Sequence, residues 1–64
     1  MNSEKVKSAT MTILQTYRDE IQGNDLMYKS VREDLLAHIN KTISAYEKGL
    51  ITSAEALKVV TEGR

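Results

Sequence analysis

Cysteine, proline, phenylalanine and tryptophan are all missing from this chain, and 64 residues hold a single histidine. Without cysteine there are no disulfides, no thiolate metal sites and no thiol chemistry. His38 stands alone, with no neighbouring set of ligands, so neither a metal nor a cofactor is expected. Without proline nothing interrupts a helix from inside. Three tyrosines are the whole aromatic content. A core must therefore come from Ile, Leu, Val and Ala, which suits helix-on-helix packing. No apolar run approaches the roughly 20 residues of a membrane-spanning helix, and no signal peptide is visible. An excess of one charge is missing too, nine basic residues facing nine acidic ones. Nucleic-acid binders usually carry a basic excess that displaces counterions from phosphate, so the balance argues against that class. The expectation is a soluble, cytoplasmic, all-α protein forming a single helical domain over 1–64, without a membrane partner.

Its size sets a further condition. A chain this short buries only about 60% of the surface its unfolded form exposes. With disulfides and metals excluded, oligomerisation or unusually regular helix packing must supply the remaining stability.

What is present is periodicity. Gly23 and Gly49 divide the chain into three segments, and Gly63 stands at the end. A glycine after a periodic segment is the expected residue just past a helix end, because it accepts the left-handed conformation that closes one. The first segment, about 4–22, carries Val6, Ala9, Thr10, Ile13, Leu14, Tyr17 and Ile21 at steps of three and four, on one stripe about 140° wide. Asn2 or Ser3 can cap it, and Met11 falls on its polar side. The second segment, about 25–48, has Tyr28, Val31, Leu35, Leu36, Ile39, Ile43 and Tyr46 on a similar stripe, with Arg32 and Thr42 inside it. Asn24 and Asp25 are its candidate caps. Lys29–Glu33 and Asp34–His38 are spaced as exposed i,i+4 pairs. The third segment, about 53–62, places Ala54, Leu57 and Val60 on one side, with Ala56 a candidate fourth member and Val59 off it. Thr52 to Glu55 reads T-x-x-E, a capping box in which each side chain satisfies a backbone N–H at the helix start. The loop at Gly23 is short, and two helices of similar length joined by a short loop lie antiparallel. The reading is an antiparallel helical hairpin plus a short third helix, a small bundle completed by oligomerisation.

The stretch from Ala45 to Val60 raises the question of a DNA-reading helix-turn-helix. Ala45, Gly49 and Leu50 occupy the places where that motif wants a small residue, a glycine and an apolar residue. Glu55 and Lys58 fill the two later places that must be apolar, while Leu57 and Val60 are out of phase. The third segment also has one Lys and no Arg, Gln or Asn with which to read base edges. A plain turn fits better. In it Leu50 packs back on the second helix and Ile51 staples the third. Lys48 to Thr52 resembles the turn of short helical pairs appended to many bacterial proteins, on residues that any capped turn uses. Ser30 to Asp34 keeps only the first and last residues of the motif of small sporulation phosphatases, which is too little to carry that assignment.

No catalytic set is expected. The adjacent acids Asp19–Glu20 and Glu33–Asp34 point about 100° apart on a helix, so neither pair converges on one atom. The glycines stand alone and make no phosphate loop. Arg32 is the anomaly, a charge inside an apolar stripe. Either it extends its head to water, or its planar fork reaches a carboxylate on another chain, Glu20 or Asp34 of a second copy being nearest in register. Met11, Leu26, Met27 and Val59 are apolar residues off the stripes, and Met11, Met27 and Val59 are the candidates for an interface. The functional expectation is a non-enzymatic protein–protein interaction module of bacterial or phage type, a regulator, inhibitor or assembly factor acting as a homodimer. The alternatives are a minimal DNA-binding regulator built on the second and third helices, and an enzyme subunit without chemistry of its own.

Overall fold

A computed structural model describes residues 2–62, with side chains from Glu4 onward. Among these residues there are three helices and no strand: α1 (Asn2–Gln22), α2 (Lys29–Glu47) and α3 (Ser53–Glu62). Each packs against the other two. At 1.5 Å rise per residue the helices are about 31, 28 and 15 Å long, so α3 can cover only half of its neighbours. The molecule is accordingly elongated, 40 × 17 × 16 Å.

The core is Leu14, Tyr17 and Ile21 from α1, Ile39, Ile43 and Tyr46 from α2, and Ala56 from α3. All of the α1 and α2 members belong to the stripes read from the sequence. Thr42, the polar residue inside the second stripe, is buried, and its hydroxyl donates to the His38 carbonyl at 3.0 Å. In that way a buried polar group is satisfied within its own helix. Val6, Ala9, Ile13, Tyr28 and Val31 lie on the stripes yet remain exposed.

Four boundary or facing expectations need correction. Helix α2 starts at Lys29, not near Asp25. Asn24 spends its side chain on a tight turn: its Oδ1 accepts the Leu26 N–H at 3.1 Å, and its carbonyl accepts the Met27 N–H at 3.3 Å. Neither Asn24 nor Asp25 caps α2. Its N-cap is Tyr28, with extended ψ 140 and no side-chain cap. Gly23 does not adopt the left-handed conformation; Gly49, at φ 76, is the one positive-φ residue among those described. The Gly23 N–H still bonds to the Asp19 carbonyl at 3.0 Å, so the chain is still winding as a helix there. Leu50 does not pack back on α2 but stands 72% exposed. On α3 the inward residues are Ala56, Val59 and Val60, while Ala54 is exposed. A ten-residue helix takes its facing from where it docks, and here docking between two long helices selects Val59 over Ala54. The expected Asn2 or Ser3 cap concerns side chains outside those described, and Gly63 also lies outside them.

The α2–α3 connection follows local hydrogen-bonding rules in full. Lys48 is the C-cap. The Gly49 N–H bonds to the Tyr46 carbonyl at 3.0 Å and the Leu50 N–H to the Ala45 carbonyl at 2.9 Å. This is the paired closure of a Schellman motif, which requires a left-handed residue at Gly49. Three residues on, the Glu55 N–H donates to Thr52 Oγ1 and the Thr52 N–H donates to Glu55 Oε1, both at 3.2 Å. Between them Ile51 packs against the core. Tyr46 and Ser53 share a hydroxyl hydrogen bond of 2.7 Å, which ties the end of α2 to the start of α3.

Candidate functional site

The residues singled out from the sequence fall in different places. Met11, Met27 and Val59 are each half-buried and packed against the core of their own chain. Methionine suits such positions because its unbranched side chain fills irregular edges. Arg32 is half-buried, and its Nη1 donates to the Asn24 carbonyl at 3.3 Å. Its charge is therefore engaged with the turn before α2, where the same carbonyl already receives the Met27 N–H. Gly49, Thr52 and Glu55 form the α2–α3 connection described above.

Two groups of residues form exposed apolar surface, and of them only Leu26 stood out in the sequence. The first lies at the turn before α2, where Leu26 is 98% exposed and Tyr28 82% exposed, with Val31 about half exposed one turn later. The second is on α1. Val6 and Ile13 are about half exposed, and Ala9 between them is exposed as well. These three occupy one edge of the α1 stripe, whose other edge (Thr10, Leu14, Tyr17, Ile21) makes the core. The edge runs into a groove of about 230 Å³ between α1 and α3, lined by Thr12, Ile13, Thr16, Tyr17, Glu20 and Val60. A shallower trough of about 520 Å³ follows another side of α1, past Glu4, Lys7, Ser8, Met11, Thr12 and Gln15. A stripe 140° wide is more than two neighbours of unequal length can cover. That excess width was visible in the sequence, although which edge stays bare was not.

Charged groups do not converge on any one point. The ion pairs among the described residues are Arg18–Asp19 at 3.9 Å and Lys29–Glu33 at 4.0 Å, both on the surface. Pairs of that kind are worth under about 1 kcal/mol. The expected Asp34–His38 pair does not form among them. No group of three or more His, Cys, Asp or Glu among the described residues could hold a metal ion. No described helix is long and apolar enough to cross a membrane. On α3, Glu55 is engaged in the capping box and both it and Lys58 are exposed. A recognition helix in the helix-turn-helix register would instead need both positions in its core.

Comparison with family models, with curated proteins and with solved structures finds no match to this chain.

Proposed function

We propose that the chain is a non-enzymatic protein–protein interaction module, a regulator, inhibitor or assembly factor that acts through helical surfaces. In this reading α1 and α2 form an antiparallel hairpin, α3 closes half of it, and a second copy or another protein covers the remainder. The observation that carries the reading is the amount of surface left over. A monomeric protein of 7.2 kDa is expected to expose about 4,100 Å², whereas this one exposes 4818 Å². The excess of about 700 Å² includes large apolar side chains, Leu26, Tyr28, Val6, Ile13 and Leu50 among them. Exposed apolar groups beyond scattered single residues, such as the Leu26–Tyr28 turn and the Val6–Ile13 edge, mark interaction surfaces more often than catalytic ones.

The test is co-purification. A tagged chain expressed in its native host should bring down a stoichiometric protein or a second copy of itself. Recovery of the tagged chain alone, as a monomer by sedimentation equilibrium, would refute the interaction reading.

A further inference from the structure

The interaction reading leaves open which surface is used and by what, and the following inference rests on it. We propose that a second copy of the chain pairs with the first through α1, antiparallel, about a twofold axis near Ile13. Three observations on α1 converge there.

The first is the bare edge itself. Val6, Ala9 and Ile13 line up within about 60° of arc, with Thr16 and Glu20 continuing the row. The side chains flanking Ile13 one turn away are Ala9 and Thr16. Small residues at such positions let two helices approach closely. The α1–α3 groove opens on the same edge, giving a partner's side chain a recess to enter.

The second is charge. The row has a basic residue near one end, Lys5, and an acidic one near the other, Glu20. Both are exposed, and neither joins an ion pair among the described residues. In a twofold pair the same patch meets itself, so residue i faces residue j and j faces i. Parallel alignment would set Lys5 against Lys5 and Glu20 against Glu20. Antiparallel alignment with positions summing to about 25 sets Lys5 against Glu20 twice, Ala9 against Thr16 twice, and Ile13 beside the axis. The charges thus select one orientation and one register together.

The third is area. A strip about 31 Å long and about 10 Å wide gives a footprint of roughly 300 Å² per copy. Two copies then bury roughly 600 Å² in total, roughly 300 Å² of the excess of about 700 Å² that each copy carries. That is below the 1,200 Å² of a standard interface, so the dimer should be weak, with a dissociation constant on the order of 10 µM.

Sedimentation equilibrium from about 10 µM to about 1 mM tests this on the full chain, its Lys5→Glu and Glu20→Lys variants, and the double charge exchange. The parent should dimerise. Each single reversal should weaken the dimer by about tenfold, and the double exchange should return it to within about threefold of the parent. These positions are exposed, so folding is unaffected, which circular dichroism checks. A second measurement uses the absence of cysteine. Ile13→Cys should oxidise quickly to a covalent dimer, while Gln15→Cys, about 160° away around α1, should not. A parent dimer indifferent to both reversals, with the two cysteine variants cross-linking equally slowly, would overturn the α1 interface but leave the interaction reading standing. A parent that stays monomeric up to about 1 mM would overturn the second-copy proposal itself. Co-purification of a different protein would then identify the occupant of the bare edge.

Discussion

At the scale of single residues, two glycines that look equivalent in sequence part company in structure. Gly49 has φ 76, and nothing lies within 4 Å of where a β-carbon would sit, so its constraint is backbone conformation alone. Gly23 has no such backbone, and an added Cβ would meet the Asp19 carbonyl oxygen at 3.5 Å, an ordinary contact. Gly49→Val should therefore cost more than about 1 kcal/mol, because a β-branched residue resists the left-handed region. Gly23→Ala should be neutral or stabilising by up to about 1 kcal/mol, since it only narrows the unfolded ensemble. Urea titration of both variants checks the pair, and equal destabilisation would contradict the assignment of the turns. Arg32 gives a second expectation. Its bond to the Asn24 carbonyl is long, and that oxygen keeps the Met27 N–H if the arginine is removed. Arg32→Leu should then lose less than about 1 kcal/mol. A loss of several kcal/mol in the same titration would mean that the guanidinium holds a carboxylate on another chain, the alternative its place in the stripe suggested.

At the scale of elements, the helices themselves were legible because apolar residues recur with the helical period over two long segments, and Leu14, Tyr17, Ile21, Ile39, Ile43 and Tyr46 took their core places accordingly. The α2–α3 connection was legible for a different reason. Gly49, Thr52 and Glu55 satisfy backbone groups within a few residues, so no distant contact can override them. The start of α2 was not legible, because Asn24 can cap a helix or close a turn with the same side-chain oxygen, and the sequence does not say which. The facing of α3 was missed for a tertiary reason. Its ten residues are too few to be stable alone, and docking rather than its own periodicity decides that Val59 turns inward beside Ala56 and Val60 while Ala54 does not. Ala56 is fully buried, which yields a test. Ala56→Leu adds three carbons where α3 meets the long helices and should destabilise by about 1–3 kcal/mol. The loss should appear in hydrogen exchange as loss of protection across α3 before α1 and α2. Unchanged protection of α3 would mean that Ala56 is not at a tight contact.

At the scale of the whole molecule, the surface candidates show where sequence reasoning stops. Met11, Leu26, Met27 and Val59 stood out because they break a pattern; three of them fill the margin of their own core, while Leu26 stands in solvent. Val6, Ala9 and Ile13 obey the pattern, so nothing in the sequence distinguished them from core; only the short reach of α3 leaves them bare. The same architecture constrains folding kinetics. The contacts within helices and between helices joined by short turns are local, and such chains fold in microseconds to milliseconds. The usual source of slow refolding, isomerisation of an X–Pro bond over about 10–100 s, is ruled out because the chain has no proline. Disulfide reshuffling is ruled out with it, because there is no cysteine. Among the slow processes available, only association of folded copies remains, and it is bimolecular. Stopped-flow refolding should accordingly give one fast phase independent of concentration. Any phase slower than about one second should accelerate in proportion to protein concentration. It should also need about tenfold more protein to reach the same amplitude in the Lys5→Glu variant, whose pairing is weakened by that factor. A slow phase whose rate ignores concentration would mean that a rearrangement within the monomer limits folding, and that the bare edge of α1 is closed by the chain itself.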